Sequence, residues 1–219
     1  MKTLLRTGLL GTLLTLSAVA QADWSANLGY ASEYHYRGIL QKTSSASGGV
    51  DFETGGFYAG TWAADVGDGL EVDGYFGYGA DVGAVSLGIG YTGYFYTGDF
   101  DETYQEINLS AGVGIFTLDV AVGEYDSPPG DAICNPTTGG SCKPSKSDYT
   151  YYSLTAEKNG FYGKYGGFSQ DFEGEYFELG YGTTIAEIDL GVSVIFANDD
   201  LVGDADESLI FTIGKSFDL

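Results

Sequence analysis

Beyond its first 22 residues the sequence has no apolar run approaching the roughly 20 residues of a membrane-spanning helix. Residence in a bilayer would therefore have to be as strands. Only one histidine, His35, and two cysteines, Cys134 and Cys142, are present. That supply is too thin for a His/Cys zinc site, and no serine sits in a Gly-x-Ser-x-Gly motif. All four prolines fall between Pro128 and Pro144, which leaves every other segment free to enter a sheet. Bases are scarce too: nine Lys and Arg stand against 31 Asp and Glu, for a net charge of −22. Such a field repels nucleic acid and draws cations. No motif implies a catalytic residue, a cofactor or a bound metal, so the chain does not read as an enzyme.

Disorder would be the other consequence of strong acidity, but 43% apolar residues, 18 tyrosines and 13 phenylalanines oppose it. Residues 1–22 have the pattern of a cleaved signal peptide: Lys2 and Arg6, an apolar stretch from Leu9 to Val19, and the small-x-small site Ala20-Gln21-Ala22. The remaining chain, 23–219, is expected to form one domain, and its seven bases against 31 acids give −24. In an exported protein, Cys134 and Cys142, eight apart among turn formers, are expected to form a local disulfide.

Alternation with a period of two runs through this domain. From Trp24 to Leu40, the residues Trp24, Ala26, Leu28, Tyr30, Tyr34, Tyr36 and Leu40 share one phase. Ser25, Asn27, Glu33, His35 and Arg37 share the other, which predicts one long strand without an internal turn. Residues 41–49 follow as a polar loop. Similar runs recur down the chain, separated by tight turns at Gly55-Gly56, Gly83, the Asn159-Gly160 dipeptide and near Thr184, and by longer acidic connections between. The count is twelve strands, with tight turns after even-numbered strands and long connections after odd-numbered ones. This is an all-β pattern: a 12-stranded antiparallel up-and-down transmembrane β-barrel with both termini on the short-turn side. A soluble barrel of that size would be badly underfilled. The apolar phase is therefore expected to face lipid and the polar phase water.

The segment SEYHYRGILQKTSSASGGVDFETGGFYAGTWAADV, with EVDGYFGY shortly after, resembles the TorF-type candidate-porin family, the Gcw-type conserved outer-membrane proteins of proteobacteria. The resemblance is specific over residues 31–80. It implies a porin in the outer membrane of a Gram-negative cell, reached through the periplasm, and brings no catalytic residues. The closing strand departs from the usual ending, because Leu219 stands where an aromatic is typical and Lys215 falls on the lipid phase. Lys215 is expected to snorkel toward headgroups. The family's name also associates it with trimethylamine-N-oxide respiration, so an amine osmolyte is one candidate solute.

The phase that would face the lumen carries Glu33, His35, Arg37, Glu71, Asp73, Tyr75, Glu106, Asp119, Glu157, Lys164, Glu178 and Asp189. A ring of carboxylates with few bases favours cation passage, and tyrosines beside them could hold amines by cation–π contact. Small residues, among them Gly88, Gly90, Gly180 and Gly182, should leave open volume opposite the charged strands. The reading is a passive channel for small polar or cationic solutes, in contact with lipid and lipopolysaccharide and binding no nucleic acid; its oligomeric state is left open. Two alternatives stand beside it: a non-conducting barrel whose acidic loops bind divalent cations (Asp99, Asp101 and Glu102, or Asp199 to Glu207), and a hydrolase using His35.

Overall fold

The computed structural model describes residues 23–126 and 146–219. The leader and the two cysteines, with the signal peptide and disulfide expected of them, lie outside the described residues. Twelve strands form one closed antiparallel barrel: β1 (Asp23–Tyr36), β2 (Ile39–Thr54), β3 (Phe57–Gly67), β4 (Gly69–Val82), β5 (Val85–Tyr96), β6 (Tyr104–Val113), β7 (Phe116–Asp126), β8 (Lys146–Lys158), β9 (Phe161–Gln170), β10 (Gly174–Ile185), β11 (Ile188–Ala197) and β12 (Asp206–Asp218). Each pairs with its sequence neighbours, and β12 closes onto β1 from Ser25/Asp218 to Ala31/Thr212. A single helical turn, α1 (Asp199–Val202), precedes β12 and is capped by Asn198, whose side chain accepts the Leu201 N–H.

Alternation sorts the faces as expected. Ile89 and Ile107 on the outer wall are 55% and 54% exposed, whereas Glu71 and Asp73 are 0% and 1% exposed. An apolar exterior around a polar interior is the arrangement of a barrel in lipid. Tight connections follow β2, β4, β6, β8 and β10. Gly55 and Gly56 (φ 56° and 90°), like Asn159 and Gly160 (φ 55° and 84°), supply the paired left-handed residues that a two-residue hairpin demands. The turn expected near Thr184 lies at Ala186 and Glu187 instead, both left-handed without glycine (φ 52° and 63°). Lys215 projects outward, and its Nζ reaches Glu187 at that rim, 3.2 Å away.

The first hairpin departs from expectation. Trp24 to Leu40 is not one uninterrupted strand: a two-residue turn at Arg37 and Gly38 (φ 51° and 88°) divides it. Residues 41–49, expected as a loop, belong to β2. The connections after β3 and β9 are also short, so long connections follow only β5, β7 and β11. Two features break the alternation near the turn: the β1–β2 register shifts between Tyr34 and His35, and Ser44 is left-handed (φ 65°). Beyond Ala31, where β1 parts from β12, both phases of the strand are covered: Tyr34, expected to face lipid, is 3% exposed, and His35 is 8% exposed.

The end of this hairpin is paired only with itself. The β1 ladder with β12 stops at Ala31, and the β2 ladder with β3 begins at Ser47, while β1 and β2 stay paired to Tyr36 and Ile39. Side chains bridge the two flanks: Ser32 Oγ accepts the Phe211 N–H at 2.9 Å, and Ser45 Oγ donates to the Asp65 carbonyl at 2.7 Å. Freed from the wall, the tip packs Tyr36 and Ile39 against a core made by Ala121, Tyr149, Tyr151, Phe168, Tyr176, Ile195, Ala197 and Ile210. These residues come from β7 through β12, so the tip lies across the lumen.

Candidate functional site

Glu106 on β6 is the fixed point of the lumen. It is 3% exposed, and its carboxylate accepts four hydrogen bonds. Arg37 Nη1 and Nη2 supply two at 2.9 and 2.6 Å. Tyr94 and Tyr149 supply the others, each at 2.8 Å. The Arg37 guanidinium also lies over the Tyr151 ring at 4.1 Å and the Tyr36 ring at 4.8 Å. A planar fork matched to a carboxylate, with aromatic faces around it, is the setting in which arginine cannot be replaced by lysine. Since β6 is five strands away from β1 around the ring, this pair pins the hairpin tip to the opposite wall.

Two further acids come from β4. Glu71 accepts hydrogen bonds from Tyr34 and from Tyr96, the latter at 3.0 Å. Asp73 differs: it is 1% exposed, and among the described residues neither carboxyl oxygen has a hydrogen-bond partner. Buried acceptors are almost always bonded, so Asp73 stands out as an acceptor without a donor among the described residues. Tyr75, on the same face, donates to Asp51.

The other expected lumen residues are dispersed. Asp119 is bonded to Ser153. Lys164 stands opposite Glu178 in the β9–β10 ladder, and Tyr162 donates to Glu178. Thr184 donates to Asp189 at 2.6 Å. Glu157 is exposed near the short-turn rim. His35 Nε2 is 3.0 Å from Glu33 Oε2, and among the described residues no serine hydroxyl is bonded to it. No group of three or more Asp, Glu, His or Cys is placed to hold a metal ion among the described residues. The open volume expected along the glycines is partly filled, because the Tyr58 hydroxyl lies 2.4 Å from where a Cβ on Gly77 or Gly90 would stand, and the Tyr162 ring covers Gly180.

The tyrosine shell was missed, although its signal is present. Tyr94 and Tyr96 continue the Ser86-Gly88-Gly90-Thr92 phase of β5, and Tyr149 and Tyr151 continue the phase of Ser153 on β8. Extending the period of two to the strand ends would have placed all four inside.

A family model described as "Bacterial protein of unknown function (Gcw_chp)" matches residues 17–217. The chain belongs to the Gcw_chp family. No curated protein matches it. Among solved structures, a chain from work on in-meso crystallization of membrane proteins is similar with a TM-score of 0.57 at 10% identity, covering 90% of this chain and 84% of that one. The NanC porin reaches a TM-score of 0.48 at 12% identity, over 90% of this chain and all of that one. The outer-membrane protein OpdK of Pseudomonas aeruginosa reaches 0.41 at 14%, over 81% of this chain and 58% of that one. At such identities the likeness of this Gcw_chp member to the first of these speaks for its fold alone.

Proposed function

We propose that this Gcw_chp protein is a porin-like channel of the Gram-negative outer membrane, passing small polar solutes and preferring cations. The observation that supports this reading is an enclosed polar interior holding three buried acids, Glu71, Asp73 and Glu106, of which only Glu106 has a basic partner among the described residues. Carboxylates in a low-dielectric wall raise the local cation concentration. Asp73, without a hydrogen-bond partner among the described residues and covered while the hairpin is docked, is the acid that release of the hairpin would offer to a cation or amine. The TorF-type assignment within the family rests on residues 31–80 and adds a tertiary amine oxide to the candidate solutes. Purified protein in planar bilayers under a KCl gradient is expected to give discrete channels with a cation-selective reversal potential. Anion selectivity would end the electrostatic part.

A second reading is favoured by the docked hairpin: the barrel is non-conducting while Arg37 holds the tip across the lumen. Conductance from Arg37→Ala with a silent wild type would make the hairpin a gate. Silence from both would leave a structural barrel.

A further inference from the structure

The barrel wall builds the pocket around the Arg37 guanidinium, and the hairpin supplies what fills it. Glu106 stands on β6, Tyr94 on β5, Tyr149 and Tyr151 on β8, and Phe168 on β9. Tyr94 donates to Glu106 Oε1 and Tyr149 to Glu106 Oε2, each at 2.8 Å. Neither bond involves the hairpin, so the carboxylate stays oriented when the tip departs. Each oxygen also accepts from Arg37: Oε1 from Nη2 and Oε2 from Nη1. The acceptor positions that the tyrosines leave therefore match the parallel N–H pair of a planar guanidinium.

The Tyr151 ring, 4.1 Å from the guanidinium carbon, and the Phe168 ring, 6.0 Å from it, present aromatic surface to the same charge. Tyr36, a third ring near it, travels with the hairpin. Arg37 itself occupies the first position of a two-residue turn at φ 51°. Asparagine or glycine suits that left-handed position better than arginine, so turn chemistry does not account for the residue.

We infer that the wall around Glu106 is a binding site for small guanidinium solutes, filled in the docked state by the chain's own Arg37, so that solute and hairpin compete for it. This deepens the docked-hairpin reading and rests on it; conduction is not required. Specificity comes from the fork. An ammonium is a point charge without a planar donor pair, and it leaves one of the two buried acceptor positions poorly met. Competition sets the affinity, because a tethered Arg37 acts at an effective concentration on the order of millimolar that a free solute has to match.

Trp62 reports where the hairpin is. It packs against the interior cluster of Tyr34, Ala64 and Val66, its ring 5.6 Å from that of Tyr34. Release of the tip takes Tyr34 away and admits water. Trp24 is the other tryptophan of the chain, so a Trp24→Phe background isolates the Trp62 signal.

The test uses the full barrel in detergent micelles, with heat-modifiable gel mobility confirming the fold of every variant. Ethylguanidinium and ethylammonium chlorides are titrated at constant ionic strength. Calorimetry on Arg37→Ala is expected to show one ethylguanidinium per chain, bound about tenfold or more tighter than ethylammonium. Arg37→Ala, Glu106→Gln is expected to lose that preference. In Trp24→Phe, which keeps Arg37, ethylguanidinium should shift the Trp62 emission to the red and saturate, at higher concentrations than Arg37→Ala needs; ethylammonium should not. Equal affinity of Arg37→Ala for the two cations, or a preference that survives Glu106→Gln, would overturn the inference. So would Trp62 emission that stays still at about ten times the concentration saturating Arg37→Ala. Identical Trp62 emission with and without Arg37→Ala in the Trp24→Phe background would end the docked-hairpin reading, and the inference with it.

Discussion

Replacing Arg37 with alanine tests whether the first hairpin is held by its ion pair. Glu106 is 1% exposed at its side chain and Arg37 12%, so the charges meet out of water. Removing one member of such a pair costs about 3–5 kcal/mol, because the other charge stays buried without compensation. Tyr94 and Tyr149 remain bonded to Glu106 and place the loss toward the lower end of that range. At 1.4 kcal/mol per tenfold, docked-to-released populations shift by roughly a hundredfold or more. The lost guanidinium contacts over Tyr151 and Tyr36 act in the same direction, by about 0.5–2 kcal/mol.

In planar bilayers the Arg37→Ala channel is expected to spend more time in its highest conductance level than the wild type. Arg37→Lys should fall between them, since an ammonium cannot reproduce the bidentate fork. The double variant Arg37→Ala, Glu106→Gln should be more stable to heat than Arg37→Ala alone, because it leaves no orphan charge. Identical conductance and open-time distributions for wild type and Arg37→Ala would refute the reasoning. So would a double variant whose losses simply add.

Four further outcomes follow from single positions. Asp73→Asn should move the reversal potential in a KCl gradient toward zero at alkaline pH, where this buried acid without a partner among the described residues is ionised, with little change in fold. Gly77→Ala should destabilise the barrel by about 1–3 kcal/mol in urea titrations, since its Cβ would meet the Ile89 carbonyl at 2.5 Å and the Tyr58 hydroxyl at 2.4 Å. Ala186→Asn should stabilise it by up to about 1 kcal/mol on the same measure, because asparagine tolerates the left-handed conformation at φ 52°. Lys215→Ala should shift stability by less than about 1 kcal/mol, its Glu187 partner being 84% exposed.

The barrel was legible because its cause is local and repeated. Each strand alternates independently, so an error in one, as at residues 41–49, leaves the count of twelve intact. Turns with Gly55-Gly56 or Asn159-Gly160 declare themselves. Ala186 and Glu187 do not, since neither residue prefers the conformation the hairpin imposes. Glu71 and Asp73 are buried on the phase the alternation gives them, but Arg37 reaches the interior from a turn the alternation does not show, and nothing in its spacing from Glu106, 69 residues away, tells that they meet. That contact depends on a bulge at Tyr34/His35 and a left-handed Ser44, deviations whose signal is weaker than the periodicity they interrupt. Tyr34 carries the lipid phase yet lies inside for another reason: β1 has already left the wall at Ala31, so both of its phases are covered there.

The two halves of the first hairpin's behaviour are physically coupled. A strand edge left unpaired at membrane depth costs several kcal/mol per orphaned backbone group unless water or another partner reaches it. Peeling Ser32 to Tyr36 away from β12 exposes such an edge from Asp206 to Ile210, so the docked state has to gain elsewhere. It gains through the four bonds at Glu106 and the aromatic core around Tyr151 and Phe168, while Ser32 and Ser208 patch the seam through Phe211 and Glu33. Weakening the lumen contacts therefore favours re-pairing of β1 with β12, which opens the lumen and closes the seam in one motion. Hydrogen exchange of the Glu207 and Leu209 amides, which lie on the same edge of β12 as the Phe211 N–H, reads this directly. Protection there should rise in Arg37→Ala as the lumen opens, and protection that falls or stays level would separate the two events.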